Sequence, residues 1–272
     1  MNATAATPTG TPPAYMFDNA TDEAARQVEL LADILDPHTT EVIDRIGVRP
    51  GWRALEIGPG RGTIAAQLAR RVGPTGTVVT VDLDPRHVQP APGVEIVTGD
   101  IRTVDLEPAR FDLIHVRLVL MHLPDREEIL ARLVGLLKPG GVIVVSDWDC
   151  TWRDMLIDAP PSVRDAFAAF QTALTDIAQD HGVDPSWART APAAMRRAGL
   201  TDITATAYTP LCRGGEPGLL LHASNSRQRE AALLAAGMTA ADLETLRDGM
   251  TSPDTLGFAY LMFTTVGRRP GA

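Results

Sequence analysis

Several short groups of residues in this chain have the types and spacing that chemistry needs. Gly58-Pro59-Gly60-Arg61-Gly62 follows the apolar run Arg53 to Ile57. Glycines at such a junction let the backbone turn sharply and let a ligand approach where a Cβ would clash. A plain strand-to-helix turn uses the same residues. Asp82 ends the next apolar run, at roughly the 20-residue distance where an acid in a βαβ nucleotide site accepts bonds from ribose hydroxyls. Gly99-Asp100-Ile101 closes a third run. His122 lies within Leu118-Val119-Leu120-Met121-His122-Leu123-Pro124. Its imidazole, titrating near pH 6.5 when unperturbed, suits proton removal; packing beside a sheet is the alternative. Asp147-Trp148-Asp149 sets two carboxylates beside an indole that can wall a pocket. Two acids in D-x-D are also a start for a cation site, which needs further hard oxygen ligands.

These residues need a scaffold that brings them to one edge. Arg53–Ile57, Thr77–Val81, Val94–Thr98, Phe111–Val116 and Val142–Ser146 are short apolar runs, in large part β-branched and continuous. Continuous runs mark strands buried on both faces. Helical patterns lie between some of them, at Ile64–Val72 and Asp125–Leu137, so a parallel sheet with right-handed crossovers is predicted. Pro85, Pro90 and Pro92 crowd the interval after Asp84, which predicts a short helix or an extended loop there. Past Cys150 the alternation stops until Thr201–Tyr208, with helices predicted at Val163–Ala178, Pro192–Ala198, Gly218–Ala236 and Ala240–Asp248 and a final strand at Phe258–Val266. Ahead of the sheet, Ala24, Ala25, Val28, Leu31 and Leu35, then Val42, Ile43 and Ile46, keep helical spacing. Asp36-Pro37 is expected to divide that run into two helices. The reading is an α/β chain, a doubly wound Rossmann-like sheet of seven mostly parallel strands. Residues 1–13 read as a disordered tail, 14–47 as an N-terminal helical lid, and 48–272 as the main domain with a helical cap inserted at about 150–192.

Composition narrows the function classes. The 272 residues carry a net charge of −9, and no Lys/Arg cluster exceeds a pair. That argues against nucleic acid as a partner, since its binders present a basic face. No window reaches the ~18 consecutive apolar residues of a spanning helix, and Met1–Pro13 lacks the marks of a secretory signal. A cytoplasmic protein without a membrane partner is expected. Cys150 and Cys212 read as free thiols rather than a disulfide framework.

Residues 53 to 149 resemble the class I S-adenosylmethionine-dependent methyltransferases, of the small-molecule type found in bacterial natural-product pathways. Glu56-Ile57-Gly58-Pro59-Gly60-Arg61-Gly62, Val81-Asp82-Leu83-Asp84, Gly99-Asp100-Ile101, Phe111-Asp112-Leu113-Ile114-His115 and Leu137-Lys138-Pro139-Gly140-Gly141 carry the likeness in order. A dinucleotide site favours G-x-G-x-x-G so that pyrophosphate meets a helix N-terminus. Here the glycines run G-x-G-x-G, and the acidic Glu56 would repel a phosphate. The resemblance implies S-adenosylmethionine as cofactor, with Gly58, Pro59, Gly60 and Gly62 under its methionine and ribose. It further implies Asp82 at the ribose hydroxyls, Leu83 and Ile101 around the adenine, and Gly99 and Asp100 toward its amino group. Tyr15 and Arg26, or Arg117 from the other side, would cap the methionine carboxylate, with His115 and Val116 in the same strand end. A solvated helix-face arginine is the other reading of Arg26, and a core residue that of His115.

By the same resemblance, His122 is the catalytic base and Asp147 an acid at the next strand end, with Trp148 and Asp149 against the acceptor. Metal-dependent relatives add an acid at the preceding strand end, where this chain has His115, Val116 and Arg117, so no metal is expected. The last strand should run antiparallel. The implied reaction is methyl transfer to a small-molecule acceptor, most often oxygen, with nitrogen or carbon as variants, by a monomer or homodimer. A cyclase-like enzyme that binds the cofactor without donating its methyl group, and a non-catalytic cofactor-binding protein, are the rival classes.

Overall fold

A computed structural model describes residues 16–271 apart from Asp18; Tyr15 and the tail 1–13 lie outside the described residues. Strands β1 (Arg53–Ile57), β2 (Thr77–Asp82), β3 (Val94–Thr98), β4 (Phe111–Arg117), β5 (Leu137–Asp149), β7 (Thr201–Tyr208) and β10 (Leu261–Arg268) form one sheet in the order β3-β2-β1-β4-β5-β10-β7. β10 is antiparallel to both neighbours, while β1 to β5 pair in parallel. Alternate residues divide between two cores. Ala54, Val78, Leu113 and Val144 face one side, and Leu55, Val79, Ile114 and Val145 face the other, as the period of two requires. Strand order reverses between β1 and β4, and open α/β sheets bind ligands outside the carboxyl ends at that point.

Helix α1 (Asp22–Ile46) is one helix with Pro37 inside it, not two. Tertiary contacts clustered at the proline hold it together. Arg117 grips Asp36 at 2.9 Å and Thr39 at 2.9 Å, and His38 bonds Thr264 at 3.1 Å while stacking on Tyr208. Those bonds outweigh the local cost of proline. Helix α2 (Thr63–Val72) follows the glycine turn, and between β2 and β3 only a single short turn, Pro85–His87, remains. The proline-rich interval behaves as its composition predicts.

The helical cover draws on two stretches of chain. α4 (Pro161–Asp180) packs on α8 (Ala240–Thr251), which packs on α6 (Pro217–Gln228), which lies against α1. By contrast α5 (Trp187–Arg197) packs on β5, β10 and β7. So the 150–192 segment supplies only part of the cap, and residues 211–258 supply the rest. The predicted helix Gly218–Ala236 is broken at Arg229 into α6 and α7 (Glu230–Ala235). Helix α3 (Arg126–Leu136) leads into β5 through Lys138-Pro139-Gly140-Gly141, which form an irregularity in the strand rather than a stop before it. Three-residue strands β6 (Leu156–Asp158), β8 (Leu211–Arg213) and β9 (Leu256–Phe258) pair as a second, antiparallel sheet. Each is too short for alternation to register in sequence.

Candidate active site

A cavity of about 860 Å³ opens at the carboxyl ends of β1, β2 and β4, under α1 and the cap. That lies within the range of small-molecule sites. Gly58 and Gly60 form its floor with φ of 66° and 56°. Gly58 has no alternative, since a Cβ there would come within 2.5 Å of Val119 Cγ2. Asp82 ends β2 on the cavity wall, and its Oδ1 accepts the Asp84 N–H at 2.8 Å. Burial pushes its pKa up, against the opposing Asp84 N–H bond. Leu83 beside it is 64% exposed although it is a large apolar residue on the wall. Ile101 is buried, and Asp100 Oδ1 accepts the Arg102 N–H at 2.8 Å. Arg102 pairs with Asp100 and forks onto both oxygens of Asp125, fixing this end of the cavity. The motif residues Gly58, Pro59, Gly60, Asp82, Leu83, Gly99, Asp100 and Ile101 thus meet on one surface.

On the other side of the cavity, β4 gives way to the short turn Leu120–His122 through Leu118, a non-glycine residue at φ 55°. Such a conformation persists only where surrounding structure imposes it; here Leu118 N–H bonds Ser146 O at 2.8 Å. The turn puts His122 on the wall. Desolvation, then the nearby Arg126 charge, lower its pKa to about 4, so the imidazole is neutral at pH 7. Trp148 also lines the cavity, stacked on Tyr260 with ring centroids 4.7 Å apart. Cys150 lines it as well, with a thiol that burial pushes up to about 12. It is no nucleophile near neutral pH.

Several expected contacts are not made. Asp147 is buried off the wall and accepts from Trp187 Nε1 at 3.0 Å. Burial, partly offset by Trp187 and by the backbone of Met121 and Val119, raises its pKa to about 8. It supports the turn that carries His122 from beneath. Asp149 also misses the wall, held by Arg189 at 2.9 Å and by Thr151. Strand alternation turns Glu56 away from the ligand side, where it pairs with His115 Nδ1 at 3.1 Å in a buried contact. Val116 is buried in the core. Gly62 packs toward Val88 and Gln89 rather than into the cavity. Arg26 lies on the exposed face of α1 beside Glu29. Arg117 does reach the wall, with its guanidinium already committed to Asp36 and Thr39. Among the described residues no group of three His, Cys, Asp or Glu is placed to hold a metal ion, and both cysteines are free.

The cap, α1 and the approach to β10 bring wall residues that motif reading did not find. Gln27 Nε2 donates to Asn225 Oδ1 at 2.7 Å, and Tyr260 Oη donates to Gln171 Oε1 at 3.1 Å. Arg229 and Leu174 complete this side. A signal existed: Gln27 falls in the apolar stripe with Ala24, Val28 and Leu31, and Gln171 with Phe167 and Leu174. A polar residue on an apolar helical face must find a buried partner.

Residues 55–145 match the family described as "Methyltransferase domain". Methyltransferase str3 of Strobilurus tenacellus is 33% identical over 141 residues, covering 51% of this chain and 49% of that protein. The ubiquinone/menaquinone biosynthesis C-methyltransferase UbiE of Pseudomonas entomophila is 30% identical over 135 residues, covering 46% and 53%. The chain spans about half the length of the curated relatives it matches. In fold it is similar to phosphoethanolamine N-methyltransferase 2 of Haemonchus contortus, with a TM-score of 0.59 at 17% identity over 93% of this chain and 58% of that one. Over residues 55–145 the chain is thus similar to methyltransferase domains, and its fold is shared by solved methyltransferase structures. No helix of the described residues is long and apolar enough to cross a membrane.

Proposed function

We propose that the protein is an S-adenosylmethionine-dependent methyltransferase acting on a small-molecule acceptor, by transfer to a weakly acidic hydroxyl such as a phenol or enol. The observation that carries this is the single cavity wall shared by Gly58, Gly60, Asp82, exposed Leu83 and Asp100 at one end and neutral His122 and Trp148 at the other. The residues fit the cofactor. Leu83 and Ile101 offer apolar faces to an adenine, Asp82 and Asp100 offer acceptors for ribose hydroxyls and an amino group, and the glycine floor leaves room for the amino-acid portion. When bound, S-adenosylmethionine supplies an electrophilic methyl group. The cap and α1 enclose the acceptor, exclude water and hold it in line, which provides most of the rate. His122 takes the proton that the acceptor hydroxyl loses. A base with a pKa of about 4 is matched to an acceptor that is itself acidic, not to an alkanol. Asp147 acts through the turn it supports and is a positioning residue.

Transfer to an activated carbon is a second reading. It rests on the likeness to UbiE, whose name gives it as a C-methyltransferase, and on the same weak base. Incubating the purified protein with methyl-labelled cofactor and candidate phenols or quinols, with mass spectrometry of the products, tests both. Labelled methyl ether supports the first reading and ring-methylated product the second. A bound cofactor with no label transfer to any acceptor supports the cyclase-like or non-catalytic classes instead.

A further inference from the structure

We propose that Arg229 is an anion hook that holds a carboxylate of a molecule in the cavity, an inference that rests on this cavity being the ligand site described above. Arg229 lies on the wall at the break between α6 and α7, one turn beyond Asn225. Its Nη1 donates to the Met16 carbonyl at 2.5 Å, and its Nε is buried with no hydrogen-bond partner among the described residues. The other arginines of the wall are neutralised. Arg61 pairs with Glu29 at 3.4 Å, Arg102 with Asp100 at 3.3 Å, and Arg117 with Asp36 at 2.9 Å. Among the described residues Arg229 enters no such pair, and Glu230, next to it in sequence, holds Arg247 at 2.8 Å instead.

A guanidinium drawn partly out of water is costly unless an anion meets it. Its rigid fork matches a carboxylate through two parallel bonds. A cation near the end of α6 also suits the helix dipole, but the more exposed Arg227 meets that need without entering the cavity. Anchoring to the Met16 carbonyl fixes the stem and leaves the rest of the fork for a ligand. Two carboxylates qualify, that of the cofactor's amino-acid end and one carried by the acceptor.

The test is calorimetric titration of wild type, Arg229→Gln and Arg229→Lys with S-adenosylhomocysteine. It is followed by ligand-detected NMR titration of benzoate and its neutral amide, benzamide, into the S-adenosylhomocysteine-saturated proteins. If the hook holds the cofactor, Arg229→Gln weakens S-adenosylhomocysteine by about tenfold or more, with Arg229→Lys in between. If it holds the acceptor, S-adenosylhomocysteine affinity stays the same, while wild type prefers benzoate to benzamide and Arg229→Gln loses that preference. A folded Arg229→Gln that changes neither affinity overturns the proposal. Should that variant lose its thermal transition, Arg229→Lys decides: wild-type behaviour in both titrations, with no benzoate preference in wild type, overturns it equally. Should wild type fail to bind S-adenosylhomocysteine, the same benzoate and benzamide titration is made on the free protein: a benzoate preference lost in Arg229→Gln sinks the cofactor reading and leaves the hook standing, and no preference overturns both.

Discussion

His122 and Glu56 illustrate how position on a strand or turn decides a residue's use. His122 is on the cavity wall and neutral, because desolvation has moved its pKa to about 4. The expected rate limb therefore shifts from the pH 6.5 of a free imidazole to about pH 4. We predict that the wild-type rate is flat from about pH 6 to pH 8 and falls only at acidic pH as the imidazole takes its proton. His122→Ala should lower kcat by about 10²–10⁴-fold, the usual worth of a general base, with cofactor affinity unmoved. A variant within threefold of wild type, about 0.7 kcal/mol, would make His122 scaffold. Glu56 is the converse case. Glu56→Leu leaves the buried His115 Nδ1 without its partner, so thermal or urea unfolding should report a loss on the order of 1–3 kcal/mol. Cofactor affinity in the still-folded variant should match wild type. A selective loss of affinity with full stability would return Glu56 to the ligand site.

At the scale of elements, the turn Leu120–His122 rests on β5 through Asp147. The folded state holds the Asp147 proton up to about pH 8, against an ordinary value of 3.8. A raised pKa means that the unfolded chain releases the proton first as pH rises. Its contribution is therefore full below about pH 4 and is lost progressively toward pH 8. Asp147→Asn keeps an acceptor for Trp187 and removes this titration. We predict that the Tm of Asp147→Asn gains on wild type as pH rises through that window; parallel curves would contradict the assignment. How far elements were legible in sequence follows from the same physics. β1, β2, β3 and β7 match their expected ranges to within a residue because strand patterns are local. The division expected at Pro37 is absent because Arg117 and Thr264, distant in sequence, hold that part of α1. Of the motif residues, Gly58, Asp82 and Asp100 meet on the cavity wall, whereas Glu56 and His115 pair with each other away from it, because a motif does not record which face of the strand each side chain takes. Gln27 of α1 and the cap residues Gln171, Asn225 and Arg229 meet only in the tertiary structure.

For the whole molecule, one sheet edge gathers residues from the ends of five strands, β1 to β5, and two separate stretches of helix close over them. With the cofactor and the acceptor in this cavity as proposed, the adenosine end and the acceptor end should respond to different substitutions. Equilibrium calorimetry of S-adenosylmethionine binding to the purified wild-type protein and to Asp82→Ala tests this most directly. We predict saturable binding at one site per chain, weakened in the folded variant by about 1.5–3 kcal/mol, the worth of hydrogen bonds to a charged group. Absence of saturable binding to wild type, or equal affinity in folded Asp82→Ala, would contradict the placement of the cofactor in this cavity.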